Sequence, residues 1–224
     1  MKARVFISTI VFVCIANLST SVQGVVIPLS THSSEPSVGP NSVPASWLDA
    51  SINLNVHNGA QWALSVVVSN LTPENEGDFA FKMSEIYFNT SAPITDLMLV
   101  AVSAGDTSDW TLTFDSDNIK ADGFGYFDIS IISNDITSVW IDSLETLTFG
   151  ILIDPGAGPY EDTDFFALST GDILEDHIFA YGAAKFVKTG DPLDLSAYGA
   201  YVPEPASLIM LGFGALVLLR KRRD

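Results

Sequence analysis

The sequence predicts an all-β domain, a β-sandwich or jelly roll of about eight to ten short strands. Three observations point there. Apolar and polar residues alternate with period two in one short run after another. Gly, Pro, Asn and Asp clusters separate the runs. No long segment carries the 3.6-residue periodicity of an amphipathic helix.

Taken in order, Pro28 to Ser46 is rich in Ser and Pro with almost no apolar period, which predicts an extended or disordered leader. From Trp47 the alternation begins. Ile52, Leu54 and Val56 precede Asn58-Gly59, and Trp62, Leu64, Val66 and Val68 follow it. Two such runs around Asn-Gly are a hairpin signal, because Asn and Gly tolerate the positive φ of the tight turn. Phe79, Phe81 and Met83 make the next run. Trp110, Leu112 and Phe114 lead to the Asp122-Gly123 turn, then Phe127, Ile129 and Ile131. Leu147, Phe149, Ile151 and Ile153 make a further strand, and Phe179 to Val187 one more. Phe165 to Asp176 is the one stretch that could hold a short helix.

The two ends differ from this middle. Lys2 and Arg4 precede the apolar Val5 to Leu18, and Val22-Gln23-Gly24 offers small residues before a cleavage point, the pattern of a secretory signal peptide. At the other end, Val202-Pro203-Glu204-Pro205 leads into the apolar run Ala206 to Leu219 and then Arg220, Lys221, Arg222 and Arg223. As a helix that run covers roughly 21 Å, short of the ~30 Å hydrocarbon core. The cations can snorkel to headgroups and extend it, so it reads as a single C-terminal transmembrane-type helix. Positive charge stays cytoplasmic, which places residues 25–205 on the far side of the membrane.

The order of these three parts resembles the PEP-CTERM sorting signal of Gram-negative bacteria. The resemblance covers about a tenth of the chain. It implies that Pro203, Glu204 and Pro205 are recognised by an exosortase, that Arg220 to Arg223 form the stop-transfer cluster, and that the protein goes with exopolysaccharide and biofilm. There is also a physical reason for the triplet: two prolines lock φ and oppose helix, which keeps the chain extended and accessible just outside the membrane. The domain organisation is then signal peptide 1–24, leader 25–46, acidic β domain 47–201 and sorting signal 202–224.

Composition narrows the function. The only cysteine, Cys14, lies in the signal peptide, so the mature chain has no disulfide and no thiol chemistry. Residues 25–203 hold 25 acids and four cations, a net charge of −21. Nucleic-acid binding is excluded, since a phosphate backbone needs cations to release its counterions. Apolar content of 47% sets the chain apart from disordered acidic tails.

Catalytic signals are sparse. His32, His57 and His177 sit in no known catalytic motif, and with so many carboxylates no glycosidase pair stands out. Two acidic loops have the composition of a Ca²⁺ site, Asp115/Asp117/Asp122 and Asp154/Glu161/Asp162/Asp164, although neither has defined ligand spacing. The tryptophans and Tyr87, Tyr126, Tyr160 and Tyr181 could form a sugar-stacking face. Trp62 and Trp110 follow the core alternation; Trp47 and Trp140 do not. The sequons at Asn70 and Asn89 carry little weight in a bacterium.

The sequence therefore leads us to expect an exported, exosortase-processed, non-enzymatic surface or matrix protein with no required cofactor. Its partners would be signal peptidase, the exosortase, transiently the inner membrane, and extracellular polysaccharide. The alternatives are a calcium-dependent carbohydrate-binding module and a secreted hydrolase.

Overall fold

Among the described residues eleven strands are formed, and all of their pairings are antiparallel. They are β1 (Val25–Pro28), β2 (His32–Ser33), β3 (Ala50–Asn58), β4 (Trp62–Asn70), β5 (Phe81–Phe88), β6 (Leu97–Val102), β7 (Trp110–Ala121), β8 (Gly125–Ser133), β9 (Thr146–Ile153), β10 (Gly182–Lys188) and β11 (Ser196–Tyr201). The structure is a computed structural model. It describes residues 24–29, 32–33, 48–58, 62–72, 81–134, 139–154, 158–171, 178–188 and 196–202. A five-stranded sheet has the order β1-β3-β4-β9-β6, and a six-stranded sheet the order β2-β11-β10-β5-β8-β7.

The period-two pattern explains how the sheets stack. Ile52 and Leu54 on β3, Leu64, Val66 and Val68 on β4, and Phe149 and Ile151 on β9 bury one face of the first sheet. Phe81, Met83, Ile86 and Phe88 on β5, Ile129 and Ile131 on β8, and Phe186 on β10 bury the facing side of the second. These residues make one continuous core, so the two sheets pack face to face as a sandwich. Trp110 on β7 meets Phe149 on β9 edge to face, 4.9 Å between centroids, which joins the layers.

Two irregularities shape the second sheet. Between β10 and β5 the register shifts at Lys185/Phe186, so Lys185 faces Glu85 while Phe186 faces Met83. The extra residue is Ser84, and it lets Met83 and Ile86, three positions apart, both enter the core. Between β7 and β8 the register jumps from Phe114↔Ile129 to Ile119↔Phe127. Residues 115–118 therefore bulge outward opposite the single residue Asp128.

The outer face of the six-stranded sheet carries its own small cluster of Tyr87, Ala121, Phe124, Phe127, Ala180, Ala183 and Ala200. Residues 169–170 run across it. Ser169 Oγ donates to Phe124 O at 2.6 Å and accepts from Ala180 N–H at 2.9 Å. Gly125, at φ +80°, lies so close to Thr170 O that a Cβ would stand 2.3 Å from it. Only glycine serves there.

Several expectations change. The stretch 25–46 is not a leader throughout: Val25–Pro28 pairs with Leu54 to Ser51, and His32 and Ser33 pair with Ala200 and Gly199. The apolar Val25 and Ile27 pack at the edge of the core, and that burial overrides the Ser/Pro composition beyond them. Of the helix considered over 165–176, the described part holds only the end of a 3₁₀ turn at Asp162–Phe165 and then non-helical chain to residue 171, and 172–176 lie outside the described residues. Strands β6 and β11 add to the expected set. The signal peptide up to residue 23, Trp47, and the 203–224 segment with its apolar run lie outside the described residues. Among the described residues no helix is long and apolar enough to cross a membrane.

Candidate functional site at the two poles of the sandwich

Hydrogen bonds between the sheets define two poles. At one, Val56 N–H donates to Asp162 Oδ1 at 2.5 Å and Ser91 N–H to Asp164 O at 2.7 Å, which joins the ends of β3 and β5. At the other, Asn70 Nδ2 at the end of β4 donates to Phe81 O at the start of β5. Eight-residue strands put the poles roughly 25 Å apart.

The first pole is where the domain meets its C-terminal segment. Tyr181 N–H donates to Tyr201 O at 2.9 Å, and Tyr201 pairs with Gly182. Phe166 stacks on Tyr181 at 4.0 Å and 7°, and Tyr181 on Tyr201 at 5.6 Å and 30°. Val202 still packs against the outer cluster. The sandwich thus keeps hold of the chain up to the residue before Pro203, with no linker between β11 and the Pro-Glu-Pro triplet. The triplet Pro203, Glu204, Pro205 and the cations Arg220 to Arg223 lie outside the described residues.

The acidic loops gather toward this same pole, but their carboxylates do not converge. Asp162 holds the Val56 amide. Asp164 Oδ2 accepts Glu161 N–H at 2.8 Å, and Asp154 accepts from the Thr95 hydroxyl. Asp115 Oδ1 accepts from Asn118 Nδ2 at 2.9 Å, and Asp117 Oδ1 from Thr170 Oγ1 at 2.8 Å. Asp122 lies in the turn between β7 and β8. Among the described residues no three acidic or histidine side chains form a group that could hold a metal ion. Of the two sets proposed for Ca²⁺, Asp162 and Asp164 accept from backbone amides, and Asp115, Asp117 and Asp154 accept from side-chain donors.

Tyr160 lies within the second acidic loop, and His57 is near enough to its Asp162 to feel that charge. His57 Nε2 and the Tyr160 hydroxyl are buried without a hydrogen-bond partner. Burial pushes the His57 imidazole below the usual histidine value, and the Asp162 carboxylate partly opposes this. Tyr160 meets Trp62 edge to face at 5.6 Å.

A charged row crosses the outer face of the six-stranded sheet. Lys185 Nζ lies 2.8 Å from Glu85 Oε1. Tyr87 donates to Glu85 Oε2, and Tyr198 donates to the same oxygen at 3.3 Å. Burial and the shared carboxylate push Tyr198 up to about 12 and Tyr87 higher still. Both phenols are therefore neutral donors at any physiological pH, and the row works as a cross-strand clamp.

The opposite pole holds a concavity of about 170 Å³ lined by Trp140, Ile141, Asp142, Glu145, Leu147 and Gly105, among others. Its floor segment is firmly tied. Ile141 exchanges both backbone hydrogen bonds with Met83. Asn70 Nδ2 also donates to Ile141 O at 3.0 Å, and Asn70 N–H donates to Glu145 O at 2.9 Å. Glu145 Oε2 accepts Asp142 N–H at 2.9 Å, and Asp142 Oδ1 lies 2.5 Å from Lys82 Nζ. Leu144 at the turn has φ +62° and is 68% exposed.

The aromatic expectations divide accordingly. Trp110, Tyr87 and Tyr160 are buried, Trp62 and Tyr181 pack at the core margin, and Trp140 lines the concavity. Sequence reasoning missed the concavity because its walls come from segments forty residues apart. Both sequon asparagines are buried, Asn70 at 0% and Asn89 at 1% exposure, so neither is open to a glycan.

No curated protein and no solved structure matches the chain. The last residues do match: positions 202–223 fit the family model of the PEP-CTERM protein-sorting motif, and the chain therefore carries the signal that implies export and presentation to an exosortase.

Proposed function

We propose that the mature protein is a non-enzymatic surface or extracellular-matrix component of a Gram-negative bacterium, released by an exosortase and associated with exopolysaccharide. The observation that carries this reading is where the motif begins. It starts at residue 202, directly after β11 ends at Tyr201, so the entire β domain is the cargo of the sorting signal. Pro203 and Pro205 follow the sheet within a few residues of sequence, and proline opposes helix, which suits recognition by a processing enzyme. The carboxylates of Asp128, Asp162 and Asp164 and the side-chain carbonyl of Asn89 are taken up by backbone amides, which supports a structural role for them. Net negative charge keeps such a domain soluble and self-repelling outside the cell.

Mass spectrometry of the C-terminus of exported protein tests the reading. Wild-type cells should yield a chain that ends before Arg220, and an exosortase deletion should retain Arg220 to Asp224. An intact end on exported wild-type protein would overturn it. A second reading, a carbohydrate-binding module, is favoured by one specific observation, the Trp140 concavity. Its calcium dependence finds no support in the dispersed carboxylates.

A further inference from the structure

We infer that the outer face of the five-stranded sheet is a self-association surface, on which a second copy of this chain packs face to face. The inference goes beyond the sorting reading and does not depend on it.

Charge carries it. Residues 25–203 hold 25 acids and four lysines. Yet β1, β3, β4, β6 and β9, the whole five-stranded sheet, contain no Asp, Glu, Lys or Arg. The strands of the other sheet hold Lys82, Glu85, Asp115, Asp128 and Lys185, among others. A core-facing position excludes charge because burial is costly. A solvent-facing position does not, and in so acidic a domain acids are expected there. The acids around this sheet stand at its rim: Asp49 precedes β3, Asp96 precedes β6, Glu145 precedes β9 and Asp154 follows it.

The chemistry of the face suits its own copy. Strand alternation turns Asn53, Val67 and Thr148 outward in one cross-strand row, with Val26 at its β1 end. Val26 and Met98, at the two margins of the sheet, are 54% and 53% exposed. The polar groups are hydroxyls and amides, which both donate and accept. Asn55 Nδ2 donates to Asn53 Oδ1 at 3.1 Å, and Ser69 Oγ lies 2.9 Å from Thr146 Oγ1. One such bond leaves further sites on each group. Groups that both donate and accept can meet their own copies across a twofold axis, as an isologous contact requires. Carboxylates cannot.

Size agrees. Five strands about 4.8 Å apart and eight to nine residues long make a face of about 600 Å². Two copies would bury about 1,200 Å², the lower end for a specific interface. The dimer is therefore a weak one, and the rim acids of two copies repel over a Debye length of about 10 Å at 0.1 M salt. Salt should strengthen it, the reverse of an association built on ion pairs.

Sedimentation velocity of the exported protein, up to about 100 µM and in about 0.05 M and 0.5 M NaCl, tests this. A reversible dimer should form and tighten as salt rises. Thr148→Glu and Val67→Glu should each weaken it at least about tenfold. Thr113→Glu adds the same charge to an exposed position on the outer face of the other sheet and should leave it unchanged. Mixing Thr148→Glu with Thr148→Lys should restore dimers, which a variant that merely failed to fold would not do. A monomer under every condition, a dimer that salt dissociates, indifference to both face variants, or an equal loss in Thr113→Glu would overturn the inference.

Discussion

Asp128 Oδ1 accepts the backbone N–H of Asp117 at 2.8 Å across the β7–β8 bulge. Its other oxygen accepts Thr90 N–H at 3.0 Å, and its own N–H donates to Asn89 Oδ1 at 2.6 Å. One nearly buried carboxylate, 6% exposed, thus fixes a bulge, a strand end and a loop. Asp128→Ala should cost about 2–4 kcal/mol, since it strands two amides. Asp128→Asn should cost less, because one acceptor remains. Denaturant unfolding of both variants measures the order, and equal losses would refute it.

Calcium should have no specific effect on stability. The carboxylates of both acidic loops are dispersed over local hydrogen bonds. A site with a dissociation constant of about 1 mM would raise stability measurably at a tenfold excess. Melting temperatures in Ca²⁺ and in matched Mg²⁺ should therefore coincide, and a rise confined to Ca²⁺ would show a site that the fold does not display.

His57 should make the domain less stable in weak acid. Its folded-state pKa lies below the unfolded value of 6.5, so the unfolded chain binds the proton first as pH falls. The contribution is complete above about pH 6.5 and is lost as pH drops below it. The difference in melting temperature between wild type and His57→Gln should shrink from pH 7.5 toward pH 5. A constant offset would rule the histidine out as its source.

Leu144 should be replaceable with profit. An L-residue in the left-handed region carries roughly 1 kcal/mol of strain, and Asn or Gly carries less. Leu144→Asn should hold or raise stability by up to about 1 kcal/mol, as read by urea unfolding. A clear loss would mean that the leucine makes contacts its exposure does not suggest.

Asn70 should tolerate almost nothing. It donates to Phe81 O and Ile141 O and accepts Thr72 N–H, fully buried. Asn70→Asp, which removes both donors and adds a buried charge, should lose more than Asn70→Ala, itself about 2–4 kcal/mol. The reverse order in thermal unfolding would contradict the hydrogen-bond assignment.

Legibility in the sequence followed periodicity. The β3–β4 hairpin was readable because Ile52, Leu54, Leu64 and Val66 alternate on either side of Asn-Gly. Strand β6 was not, because Leu97 to Val102 is a continuous apolar run at a sheet edge and carries no period-two signature. Strand β11 was not, because Ala197, Gly199 and Ala200 are small; Gly199 is needed where a Cβ would meet Leu29 O and Phe186. The acidic loops were readable as acidic, but composition does not say what each carboxylate faces.

The sequence by itself determined the address and the class. The order of triplet, apolar run and cations is a linear signal, read by machinery that meets an extended chain, and alternation is a local property of each strand. The tertiary structure alone decided which residues meet. It gave Asp115, Asp117, Asp154, Asp162 and Asp164 separate hydrogen-bond donors, buried both sequon asparagines, and brought Gly105, Trp140 and Glu145 around one concavity at the pole away from Tyr201. Such meetings depend on strand order and register across two sheets, and nothing local in the chain encodes either.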